Sequence, residues 1–234
     1  MTNKLLKAVM EKTNKINVEL TIGNVEVRQM LVKELKQIID LGSMEDESAA
    51  MVEMIKIIDN CILTPGVSMN TLPSIDVETI YLALHRLTKG DTVEMKLHCG
   101  HCDKEFDQNI YLALAHQSNE QAKQIKLDTG LVLNMRAPTM LESLIGAADS
   151  DQIFNLAIRC IESVDTGTET MVVGEDISPE EMREVVEFFN ENSFAELVKF
   201  IETIPHLYLR QPVECPHCQE QDLVELNGLA EILG

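Results

Sequence analysis

Cys99-Gly100-His101-Cys102 recurs far downstream, with one filler residue changed, as Cys215-Pro216-His217-Cys218. Two Cys-x-x-Cys pairs in one chain read as two knuckles gripping a single tetrahedral zinc through four thiolates. A tight turn lets both sulfurs of a pair reach the same ion at about 2.3 Å. The intervening stretch, residues 103–214, is 112 residues long and far exceeds the spacer of an ordinary zinc finger. The ion would therefore clip distant parts of the chain together. Cys99, Cys102, Cys215 and Cys218 are the predicted ligands, and one structural zinc is the predicted cofactor. Four thiolates close the coordination shell, which leaves no open position for catalysis. His101 and His217 sit at equivalent places inside the knuckles, as exposed turn residues, as donors to the sulfurs or as replacement ligands.

Outward from each knuckle the chain repeats a pattern. Extended segments, 92–98 and 207–214, lead into the cysteines, and another extended segment leaves each of them. The residue eight past the second cysteine is apolar both times, Ile110 and Leu226. Further upstream, apolar and polar residues alternate around a glycine, as in a hairpin. The first set is Ile16, Val18, Leu20, Ile22, Val25 and Val27 around Gly23; the second is Ile125, Leu127, Leu131, Leu133 and Met135 around Gly130. The hairpins end at Arg28 and Arg136. Each runs into an amphipathic helix, 30–41 or 139–148, and then a second one, about 47–59 or 151–163. Cys61 and Cys160 accompany the second helices as inert core thiols. Asp76 is the predicted cap of a helix over 77–88, and Ser178 and Ser193 each open a capping box. Residues 165–177 read as an acidic inserted loop.

This pattern predicts an α+β fold: two related β-hairpin/helical halves joined by a central four-cysteine zinc ribbon. Residues 1–15 form a leader, 16–115 the first half with its knuckle, and 125–234 the second half with the other. Each half owns only one knuckle, so together they form one composite domain.

Composition narrows the function. The chain has 234 residues, is 45% apolar and carries a formal charge of −20. Such a charge repels phosphate backbones, and acidic residues outnumber basic ones around both knuckles. A zinc-ribbon nucleic-acid regulator is one alternative, and the charge argues against it. A dithiol oxidoreductase is another, but there the motif must open a helix, and the segments after Cys102 and Cys218 read as extended. No apolar run is long enough to span a membrane, no signal peptide is evident, and the thiol usage suits a reducing cytoplasm.

Several segments carry a resemblance: Met30-Leu31-Val32-Lys33-Glu34, Asp59-Asn60-Cys61, Leu72-Pro73-x-x-Asp76, Gln152-Ile153-Phe154, Cys160-Ile161 and Phe188-Phe189. With Phe200-Ile201-Glu202-Thr203-Ile204-Pro205 and the two knuckles, they resemble the baseplate-hub assembly proteins of T-even-like contractile-tailed phages. The likeness spans nearly the whole chain outside the leader and the 165–177 loop. It implies a non-enzymatic hub component or assembly chaperone. The implied partners are other hub proteins and the tape-measure protein, met in the host cytoplasm during assembly or in the virion tail baseplate. Only the four cysteines carry over as site residues.

Overall fold

The computed structural model describes residues 4–44, 46–118, 122–145 and 150–234. The chain divides into two compact units, one of Met1–Ser118 with His206–Gly234, the other of Asn119–Pro205.

The first unit begins with helix α1 (Lys4–Glu11) and a hairpin of β1 (Lys15–Leu20) and β2 (Gly23–Arg28). Strand alternation buries Val18, Leu20, Val25 and Val27 on one face. Leu20 pairs with Gly23, whose φ of 110° suits a residue without Cβ. Ile22, read as part of the apolar face, is instead an exposed residue of the turn. Helices α2 (Val32–Leu41), α3 (Glu47–Asp59) and α4 (Ser74–Lys89) follow. Helix α4 starts earlier than expected, and Asp76 is not its cap. Buried in the first turn, Asp76 accepts hydrogen bonds from the Thr21 amide (2.9 Å) and hydroxyl (2.5 Å), fastening the hairpin turn to the helix. Strands β3 (Thr92–His98) and β4 (Glu105–Tyr111) form a second hairpin, and the short β5 (His116–Gln117) ends this part of the unit.

The second unit carries a four-stranded antiparallel sheet in the order β6-β7-β8-β9, made of Gln124–Lys126, Val132–Met135, Ile161–Asp165 and Thr170–Val172. Its helices are α5 (Met140–Ile145), α6 (Ser150–Arg159), α7 (Pro179–Glu187) and α8 (Glu191–Glu202). Residues 146–148 of the helix expected over 139–148 lie outside the described residues. Residues 160–163 are not helical: the chain turns at Cys160, and Ile161 and Val164 enter the sheet core as β8. The acidic loop 165–177 contains strand β9. The Ser178 capping box is present, whereas α8 starts at Asn190, whose side chain accepts from the Ser193 amide. Ser193 is therefore three residues inside, and its hydroxyl donates to Asp128. Leu133, Met135, Leu156, Cys160, Met182, Leu197 and Phe200 centre the core.

The chain re-enters the first unit at His206, where the Ser118 amide donates to the His206 carbonyl at 2.9 Å. Strands β10 (Leu207–Glu214) and β11 (Gln221–Asn227) and helix α9 (Gly228–Leu233) complete it. Ile75, Leu82, Ile110, Leu112, Leu209, Leu226 and Ile232 pack together there. The fold as a whole mixes helix and sheet.

The two hairpin–helix segments share a bonding scheme. The amides of Arg28 and Arg136 donate to the carbonyls of Cys61 and Cys160, at 3.0 and 2.8 Å. Six residues on, Glu34 and Glu142 pair with those arginines at 3.0 and 2.7 Å. Each glutamate also accepts the backbone amide three residues before it, from Leu31 and Thr139. Both hairpin turns are also fastened to a helix ahead of a strand that leads into a cysteine turn, with donor and acceptor exchanged. Thr21 of the first turn donates to Asp76 on α4, and Asp128 of the second accepts from Asn190 and Ser193 of α8.

Candidate metal centre

The cysteines sit on the turns of two antiparallel strand pairs. Strands β3 and β4 are in register from Thr92–Tyr111 to His98–Glu105, and β10 and β11 from Tyr208–Asn227 to Glu214–Gln221. Each turn therefore runs from the first cysteine to the residue two past the second, 99–104 and 215–220. The turns are built alike. Cys99 N–H donates to the Lys104 carbonyl (3.0 Å), and Asp103 N–H to the Cys99 carbonyl (3.0 Å). The counterparts are Cys215 to Glu220 (2.9 Å) and Gln219 to Cys215 (2.8 Å). Asp103 and Gln219 have φ of 60° and 61°, the two non-glycine residues in the left-handed region among the described residues. That conformation costs a side-chain-bearing residue about 1–2 kcal/mol, and here it brings the chain round behind the second cysteine.

The result is a cluster of four sulfurs, all within 4.8 Å of one another. Cys99 and Cys218 are 3.7 Å apart, as are Cys102 and Cys215. A disulfide would require about 2.05 Å. Tetrahedral bonds of about 2.3 Å to a central ion would place neighbouring sulfurs about 3.8 Å apart. The donor set thus fits a metal ion, and the spacing is that of ligands around one centre. Cys99 and Cys215 are buried, Cys102 is half-buried and Cys218 exposed.

The thiols are electrostatically unequal. The backbone N–H groups of Cys102 and His101 stabilise the Cys99 thiolate and lower its pKa. Burial opposes ionisation of Cys215, but the N–H groups of Cys218 and His217 outweigh it and bring the thiol to about 7. Partial desolvation raises Cys102. The Glu220 N–H pulls Cys218 down, yet desolvation and the sulfurs of Cys215, Cys102 and Cys99 carry it up to about 12. Each knuckle thus has one sulfur whose ionisation its backbone N–H groups favour and one whose ionisation desolvation opposes.

One residue joining the two strand pairs escaped the sequence reading. Gln211, buried on β10, accepts from the Tyr111 amide and donates to the Asn109 carbonyl, both at 2.8 Å. Its side-chain amide meets the outer backbone groups of β4 as a neighbouring strand would. The available signal was its parity: Leu207, Leu209 and Val213 share its face of the strand, and Gln211 alone is polar. His217 adds a second link, its Nε2 donating to the Glu105 carbonyl at 3.2 Å, and His98 pairs with Asp103 at 3.0 Å.

Cys61 and Cys160 take no part. Both are fully buried, and burial pushes their thiols up to about 11 and about 12. Both Cys-x-x-Cys pairs join antiparallel strands, so neither opens a helix as thiol–disulfide exchange chemistry of the thioredoxin type requires. No helix of the described residues is long and apolar enough to cross a membrane.

No curated protein and no solved structure gives a significant match to the chain. The profile of the family described as T4 bacteriophage base plate protein matches residues 13–234, which takes in both hairpin–helix segments and all four clustered cysteines. The chain belongs to this phage base plate family.

Proposed function

We propose that this protein is a non-enzymatic component or assembly chaperone of the central hub of a phage tail baseplate, held together by one structural zinc. The observation that carries the tail role is the family match over residues 13–234. The finer reading rests on the sequence likeness to hub assembly proteins. The partners would be other hub proteins and the tape-measure protein, met in the host cytoplasm or in the virion tail baseplate, with no role for nucleic acid or membrane. The −20 charge and the acidic flanks of both knuckles support a protein partner over a phosphate backbone.

Cys99, Cys102, Cys215 and Cys218 would hold the zinc, and an all-thiolate shell favours that metal for structural use. The ion would supply a cross-link between the β3–β4 and β10–β11 turns, comparable in strength with the stability of a whole domain. The shared bonding scheme of Arg28, Glu34 and Cys61 with Arg136, Glu142 and Cys160 supports reading 16–115 and 125–234 as related halves around that ion.

Co-expression with neighbouring tail genes, followed by pull-down and metal analysis, tests both levels. The expected result is a stoichiometric complex with a hub or tape-measure protein and one zinc per chain. Chelation should then open Cys99, Cys102, Cys215 and Cys218 to alkylation ahead of the buried Cys61 and Cys160. Failure to capture any tail protein refutes the hub role; metal-free protein refutes the zinc.

A further inference from the structure

Helix α1 lies ahead of the family-matched region, and its described side chains, Lys4 and Ala8–Glu11, are all exposed. Val9 is 55% and Met10 45% exposed. An eight-residue helix is marginal in water without a surface to pack on. Its charge is also opposite to that of the rest of the chain. Residues 4–15 carry Lys4, Lys7, Lys12 and Lys15 against Glu11 alone, a net +3 in a protein of −20.

The second unit presents the complement. Phe188, at the C-terminal end of α7, is 91% exposed, the most exposed large apolar side chain among the described residues. Close to it in the chain stand the exposed Glu184, Glu187 and Glu191, the first one helical turn before it. Residues 178–196 contain six glutamates and one arginine, a net −5. Arg183 is engaged within the unit, bonding Glu187 and Asn155 and lying over the Phe154 ring. An exposed aromatic ring on an acidic segment matches exposed Val9 and Met10 on a basic one in both polarity and charge.

We propose that α1 of one copy docks on the α7–α8 corner of a second copy, around Phe188. The two surfaces differ, so the contact is head-to-tail and each bound pair keeps one unused surface of each kind. Association would then continue to a ring or an open chain. A contact this small belongs to the weak, transient class. It does not depend on the hub role.

Sedimentation velocity of the full chain, over a concentration series reaching high micromolar and at low and high salt, tests the proposal. The expected result is concentration-dependent association that falls at least tenfold in high salt. Val9→Asp with Met10→Asp should prevent it, as should Phe188→Asp, with circular dichroism unchanged. Because the contact is head-to-tail, mixing those two defective chains should restore one intact contact and stop at a one-to-one dimer. Lys4→Glu with Lys12→Glu should also abolish association, and adding Glu184→Lys with Glu191→Lys in the partner chain should recover it. A chain that stays monomeric at every concentration, variants that associate like the parent, or defective chains that fail to complement would each overturn the proposal.

Discussion

Glu34→Gln should be among the most damaging single substitutions outside the cysteines. The Glu34 and Arg28 side chains are 2% and 6% exposed and meet through bonds of 3.0 and 3.4 Å. Glu34 also accepts the Leu31 amide at 2.7 Å, while Arg28 donates to the carbonyls of Gln29 and Asn60. The neutral amide leaves the arginine charge buried without its counterion. Removing one partner of a buried pair costs about 3–5 kcal/mol. The remaining amide oxygen still accepts one bond, so about 3 kcal/mol is expected. At a urea slope of about 2 kcal/mol/M the midpoint should drop by about 1.5 M. The chain has no Trp, and its three tyrosines, Tyr81, Tyr111 and Tyr208, all lie in the first unit. Tyrosine fluorescence therefore reports that unit's unfolding directly. The matched pair in the second unit is more open, with Glu142 20% and Arg136 35% exposed, so Glu142→Gln should cost only about 1–2 kcal/mol, read by amide exchange. Replacing both members, Arg28→Met with Glu34→Leu, removes the desolvated charge but strands the Leu31 amide and the Gln29 and Asn60 carbonyls, so it should remain well below the parent. A Glu34→Gln midpoint within about 0.3 M of the parent, or a double variant as stable as the parent, would refute this account.

Cys215→Ser should raise amide exchange in β3–β4 as well as in β10–β11, because the proposed ion fastens both; a rise confined to residues 207–234 would contradict a shared site. Gln211→Leu keeps the volume but strands the Asn109 carbonyl and the Tyr111 amide, at about 1–3 kcal/mol for each group left unpaired, and faster exchange at Tyr111 is the specific readout. Burial alone would raise the Glu142 pKa, but Arg136 and the Thr139 amide outweigh it and bring the carboxyl from 4.5 to about 2. A depressed carboxylate binds fewer protons when folded, so its stabilisation is complete above pH 4.5 and is lost as the pH falls towards 2. Protection factors in the second unit, corrected for the intrinsic pH dependence of amide exchange, should fall across that window, and Arg136→Met should flatten the response.

How far the sequence spoke depended on the range of the interaction. The strands Thr92–His98 and Leu207–Glu214 were legible to the residue, because alternation and a Cys-x-x-Cys turn are local signals. So was the Ser178 box, whose partners are three residues apart. Asp76 and Ser193 were misread as caps because each has cap chemistry but spends it on a distant hairpin turn, at Thr21 and Asp128. The strand at 161–165 was hidden because its apolar residues follow α6 without a break, and only pairing with β7 and β9 makes it a strand.

By itself, then, the sequence determined that four cysteines fall in pairs on two turns, and the thiol chemistry they offer. Only the tertiary structure decided that those turns face one another, with sulfurs of different turns 3.7 Å apart, and that Gln211 bonds one strand pair to the other. The physical reason is that a turn's geometry is set by interactions a few residues apart, whereas the meeting of two turns more than a hundred residues apart is set by how the whole core packs.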